Sequence, residues 1–228
     1  MDRNRIFVVV PAYNEERVLR SVLRSVIAHG YSVVVVDDGS RDGTWSILAE
    51  TPVHAIRHPV NLGQGAAIQT GMDHALRYGA EVIVHFDADG QHAVEDIDAL
   101  VQPIVQGEAD VVLGSRFLRG SDRKVIPPLR RFLLRGAVIV SGIMTGLWLT
   151  DAHNGFRALS RSAATRIRVS ENGFGHATEV LAQIRAAGLR HVERPTTIRY
   201  SDYSRAKGQT AADSVIILID LMLRRLLR

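Results

Sequence analysis

The chain reads as an α/β protein: a single domain on a mostly parallel central sheet with helices on both faces. Short β-branched runs alternate with amphipathic stretches through the first half, and each run stops at a polar loop. The runs Ile6–Val10, Ser32–Val36, Val53–Arg57, Val82–Phe86 and Asp110–Gly114 predict strands. Between them, Glu15–His29, Thr44–Glu50, Gly65–Tyr78 and Val94–Gln106 predict helices, with Gly30, Gly79 and Gly107 as stops. Sheets of this kind bind ligands beyond the carboxyl ends of their strands. The loops PAYNEE, DDGSRDGT, HPVNLGQG, DADGQH and GSRF should therefore converge on one rim.

Composition bounds the rest. A chain of 228 residues, 46% apolar and 23% charged, suits one folded domain with a sizeable core. The absence of cysteine excludes disulfides and thiol chemistry. The apolar run Ile6–Val10 stops at Pro11, too short for a signal peptide. Net charge is only +4, carried almost entirely by arginine, which clusters at Arg130, Arg131 and Arg135 and again at Arg224, Arg225 and Arg228. Aromatics are sparse and not interleaved with these basic groups, which argues against nucleic-acid binding.

The stretch VHFDADGQH poses the chemical question, because a buried strand delivers two carboxylates and an amide into one turn. Like charges that close repel unless a cation lies between them. A calcium loop counted from Asp87 would need glycine and glutamate where His92 and Asp98 stand, so that reading fails. Asp37 and Asp38 follow the second strand, where a carboxylate can accept from a base N–H or simply make a turn, the role better suited to Asp42. Glu16 suits the first turn of a helix. Gly63 and Gly65 suit close approach of backbone to a ligand at a helix start. Their position after the third strand, not the first, speaks against a dinucleotide fold.

PAYNEE, VVDDGSRDGT, NLGQGAA, DADGQH and GSRF, in that order and spacing, resemble the inverting family 2 glycosyltransferases of the GT-A fold, with a Rossmann-like nucleotide-binding half. DAHNGFRAL (Asp151–Leu159) is similar to the segment that polyprenyl-phosphate sugar transferases of the dolichol-phosphate mannose synthase type carry there. The likeness covers nearly the whole chain. It implies nucleotide contacts from Pro11, Ala12, Tyr13, Glu15, Asp37, Gly65, Asp87 and Asp89. It implies Mg²⁺ or Mn²⁺ on Asp89 and Gln91, with Asp87 a further ligand or nearer the ribose. His92 caps the turn. Arg116, Arg130, Arg131, Arg157 and Lys207 are implied at donor or acceptor phosphate, Arg131 in preference to Arg130. The catalytic set so implied is Asp89, Arg116, Arg131 and Asp151.

The family's usual general base is the Asp of a Glu-Asp pair; here Thr150 replaces the Glu and Asp151 stands alone. A phosphate acceptor is already a nucleophilic anion at neutral pH, so Asp151 either removes a proton from a hydroxyl or orients the site. The resemblance implies a UDP-, GDP- or dTDP-sugar donor and a polyprenyl-phosphate acceptor at the cytoplasmic face of the plasma membrane, for cell-envelope synthesis. Transfer to a sugar or protein hydroxyl is the alternative, and a non-catalytic nucleotide-sugar-binding subunit another. Two stretches suit a membrane surface: the uncharged Gly136–Thr150, too short to span, and an amphipathic helix over 213–228, following the catalytic domain of 1–212. In that helix Asp213, Asp220, Arg224 and Arg228 form a polar stripe opposite Val215, Leu218, Ile219, Met222 and Leu226. Buried core, a small membrane-protein partner or a homo-oligomer seam would accommodate the same apolar faces.

Overall fold

The computed structural model describes residues 2–118, 128–152, 154–173 and 175–199, with backbone alone for 128–135 and 137. Its strands are β1 (Ile6–Ala12), β2 (Ser32–Asp37), β3 (His54–Arg57), β4 (Val82–His85), β5 (Val111–Ser115), β6 (Arg157–Ser160) and β7 (His191–Pro195). They form one sheet in the order β3-β2-β1-β4-β6-β5-β7, in which only β6 runs antiparallel to its neighbours. The helices are α1 (Leu19–Ala28), α2 (Thr44–Ala49), α3 (Gln64–Arg77), α4 (Ile97–Val105), α5 (Pro128–Thr145), α6 (Arg161–Arg166) and α7 (His176–Ala186). The mostly parallel α/β architecture expected from sequence is present.

Strand alternation divides the core between the two faces. On β1, Ile6, Val8 and Val10 share one buried cluster with Leu19 and Leu23 of α1 and Leu100 of α4. Phe7 and Val9 belong to the other, with Ile68 and Met72 of α3 and Leu181 of α7. Burial on both faces explains why the strand is a continuous apolar run instead of an alternating one.

Three differences from the sequence reading matter. β1 and β2 extend to Ala12 and Asp37, so these residues end strands instead of opening loops. α1 begins only at Leu19: the Glu16 backbone N–H donates to Asp42 Oδ2 and its Oε2 accepts from Gly43 N, which ties the segment to the neighbouring loop. Glu16 is therefore a loop clamp, not a first-turn helix carboxylate. Finally, β6 and β7 complete the sheet without a sequence signal. RALS is four residues long, and HVERP carries charges and a proline with every residue half-buried.

Candidate active site

The carboxyl ends of β1, β2, β4 and β5 bring the polar loops to one rim. Asn14 takes a left-handed φ of 55°, donates its backbone N–H to Ser40 Oγ and accepts from Arg41 N. Asp38 is wholly engaged in structure: it accepts from Leu62 N and Gly63 N at 2.9 and 2.7 Å and pairs with His58 Nδ1 at 2.7 Å. Asp37 is fully buried, with Oδ1 accepting from Ser40 N at 2.9 Å. Arg57 Nε sits 3.2 Å from Oδ2 but off the hydrogen-bonding direction, which leaves that oxygen without a hydrogen bond among the described residues. Arg57 also lies over the Trp45 ring, 5.3 Å from its centre. Tyr13, Ser40, Arg57, His58 and Asn61 contribute to the wall of a pocket of about 520 Å³ beside this pair.

Gly63 and Gly65 do permit a close approach, but of the chain's own backbone. A methyl group on Gly65 would lie 1.9 Å from the Glu171 carbonyl oxygen, and one on Gly63 would lie 2.3 Å from that of Asn172. Gly65 N also donates to Asn172 O. On the side where a side chain would stand, both glycines meet 171–172 instead of open space.

The DADGQH loop follows β4. Asp87 accepts from Gln64 Nε2 at 3.0 Å and from His92 Nε2 at 3.0 Å. His92 thus does more than cap a turn, since its buried ring also packs 4.6 Å from Phe156. Burial works against the Asp87 charge, but the His92 hydrogen bond and the charges of His92, His176 and Arg157 hold its carboxyl below the ordinary range. Asp89 goes the other way. Burial, then the Asp87 charge, pushes it up to about 6, with Glu15 adding to the repulsion. Both its oxygens face Gln91, accepting from N at 2.9 Å and Nε2 at 2.7 Å.

Arg157 corrects another expectation. It is 1% exposed on β6, in register with His85 of β4, and burial pulls its guanidinium down to about 10. Its Nη2 donates to Asn154 O, while Nε and Nη1 have no hydrogen bond among the described residues. A group this deep is closed off from solvent and interacts with the Asp87 charge, which counters the effect of burial.

The third group lies beyond β5. Arg116 donates Nε and Nη2 to the two oxygens of Asp151 at 2.6 and 2.7 Å, and its backbone N–H to Oδ2 at 3.1 Å. Glu193 of β7, absent from the sequence reading, accepts from Thr150 N, Thr150 Oγ1 and Asp151 N. Arg57 and Gln64 were likewise missed. They stand beside recognised motifs, in HPVNLGQG and just before it, but nothing local marks their partners Asp37 and Asp87. Arg130 and Arg131 begin α5, placed by backbone only; Lys207 and 213–228 lie outside the described residues.

Residues 7–168 match the family model described as glycosyl transferase family 2. A UDP-N-acetylglucosamine–dolichyl-phosphate N-acetylglucosaminyltransferase of Methanococcus voltae is 32% identical, over 89% of this chain and 89% of its own length. An undecaprenyl-phosphate mannosyltransferase of Micrococcus luteus is 31% identical, over 93% of this chain and 91% of its own. Among solved structures, glucosyl-3-phosphoglycerate synthase from Mycobacterium tuberculosis, in complex with Mn²⁺, UDP and phosphoglyceric acid, shares the fold. Its TM-score is 0.68 at 23% identity, over 96% of this chain and 78% of that one.

Proposed function

The chain belongs to glycosyl transferase family 2, and from that premise we propose that this glycosyltransferase moves a sugar from a nucleotide-sugar donor to a polyprenyl phosphate. One observation carries the choice of acceptor. Asp151, the carboxylate that sequence offers as general base, is buried and held two-pronged by Arg116. A carboxylate so committed is a poor proton acceptor, because protonation would cost it the charge-assisted pair. The acceptor should then bring its own nucleophile, as a phosphate with a second pKa near ~6 does. The relatives named for dolichyl and undecaprenyl phosphate support the same acceptor.

In this reading Pro11, Ala12, Tyr13, Glu15 and Asp37 face base and ribose, and Arg116 faces phosphate, joined by Arg130, Arg131 and Lys207. Magnesium or manganese fits the DADGQH loop. Burial first, and then repulsion from Asp87, push Asp89 up to about 6; a divalent cation would offset both, and Gln91 adds a carbonyl oxygen. Among the described residues no group of three His, Cys, Asp or Glu could hold a metal, so Gln91 and the donor phosphates would complete the set. The ion would supply charge neutralisation of the departing nucleoside diphosphate. Gln64 and His92 hold Asp87 in place, and Arg157 offsets its charge.

In this reading the protein works peripherally at the membrane surface, on its inner face. Ile139, Ile143 and Trp148 are 53%, 63% and 69% exposed on and just after α5, an apolar face suited to the headgroup region. Among the described residues no helix is long and apolar enough to cross a membrane. The test is a panel of nucleotide sugars against undecaprenyl phosphate in detergent with Mg²⁺ or Mn²⁺. The expected product is a sugar phosphodiester that mild acid cleaves; an acid-stable product on a soluble sugar would overturn the reading.

A further inference from the structure

We infer that Glu193 is a positioning residue for Arg116, supplying from β7 the carboxylate that the sequence lacks at position 150. This rests on the proposed role of Arg116 at the phosphates. The geometry forms a directed chain. Glu193 is a carboxylate that only accepts, so Thr150 must donate its hydroxyl to it, at 2.8 Å. Thr150 Oγ1 in turn accepts from Ser115 Oγ at 2.6 Å, which leaves Ser115 Oγ to accept from Phe117 N at 3.2 Å. The residues on either side of Arg116 are thus tied to a line that ends on Glu193.

A second line reaches the side chain itself. Glu193 accepts the backbone N–H of Thr150 on both oxygens at 2.9 Å and that of Asp151 at 3.2 Å, which fixes the turn that presents the Asp151 carboxylate to Arg116. Backbone and guanidinium of Arg116 therefore share one distant anchor. β7 brings it there by pairing parallel with β5, Leu113 opposite Glu193. All three groups that Glu193 receives are donors and all reach one of its oxygens, so glutamine can keep them on its single oxygen but turns an N–H toward Thr150 N where the second carboxylate oxygen accepted.

The test compares Glu193→Ala, Glu193→Gln and Thr150→Val with wild type by three readouts. These are the ¹⁵N signal of Arg116 Nε–H (assigned with Arg116→Lys), steady-state transfer to undecaprenyl phosphate, and the same changes made in an Arg116→Lys background. A loss of geometry at the reacting phosphates predicts a roughly 10- to 100-fold lower kcat/KM for Glu193→Ala, partly recovered in Glu193→Gln. It also predicts a shifted or broadened Nε–H signal, and at most a small further loss when Arg116 is already lysine. An unchanged signal and unchanged kcat/KM in folded Glu193→Ala would overturn the inference, as would full, independent losses in the Arg116→Lys background. If Glu193→Ala does not fold, Glu193→Gln and Thr150→Val carry the same comparison. A displaced Nε–H signal in a protein that transfers no sugar at all would uphold the anchoring and refute the functional reading instead.

Discussion

Replacing Asp151 by asparagine should cost stability and turnover together. Asp151 is 4% exposed and takes three N–H groups from Arg116, at 2.6, 2.7 and 3.1 Å. Asparagine keeps the shape but has one acceptor oxygen, so its NH₂ must point at an arginine donor and the guanidinium loses its counter-charge. Removing one partner of a buried pair costs about 3–5 kcal/mol. The Arg116 side chain keeps 14% exposure, which argues for the lower end. At about 2–4 °C per kcal/mol for a chain of this size, Tm should fall by roughly 6–12 °C. Arg116→Gln should lose a similar amount, and the double variant less than the sum of the two, because both single changes break the same pair. Thermal melts followed by circular dichroism read the stability, and transfer rates well below both melts, taken across pH, read the role. An anchor predicts a deficit of equal size at every pH, whereas loss of a general base abolishes the acid limb of the profile. An Asp151→Asn protein melting within about 1 °C of wild type would refute the reasoning. So would a deficit that vanishes as pH rises.

Other outcomes follow from the same geometry. Asp89→Ala should abolish turnover and weaken Mn²⁺ binding by calorimetry while leaving Tm unchanged or higher, since it removes a carboxylate repelled by Asp87; full turnover in EDTA would sink the metal assignment. Gly65→Ala places a methyl 1.9 Å from the Glu171 carbonyl oxygen and should destabilise by about 3 kcal/mol in denaturant titrations. A near-neutral effect there would show that 171–172 moves aside freely. Trp148→Glu should lower sedimentation with anionic vesicles without changing nucleotide binding, because its ring is 69% exposed beyond the end of α5; unchanged sedimentation would count against that face.

How much of this was legible depends on where each residue's partner lies. Strands β1, β2, β4 and β5 announce themselves because runs such as Val33 to Val36 or Ile83 to Val84 must be apolar on both faces of a mostly parallel sheet. The charge conflict of DADGQH was readable because it is local, and Asp87 does raise the pKa of Asp89 in the fold, after burial. Gly65 was recognised as a place of close approach, but that Glu171 lies on its side-chain side could not be read, because it stands far along the chain. Arg157 looked like one more phosphate arginine until β6 turned it inward against β4. Glu193 could not be seen at all: its partner Thr150 is 43 residues away, and HVERP carries neither alternation nor a motif.

The antiparallel strand β6, wedged between β4 and β5, sets the order in which the molecule can be made. As the chain leaves the ribosome, β1 to β4 can pair as soon as His85 has emerged. The far edge of β4 then waits for Arg157–Ser160, and β5 has no neighbour until the same residues arrive. Through that interval the backbone amides and carbonyls along these edges stand open, a template for pairing with other nascent chains. The expected signature in pulsed hydrogen exchange is early protection of β1, β2 and β3 and late protection of β5, β6 and β7. A nascent chain halted before Arg157 should then aggregate where one released after Pro195 does not.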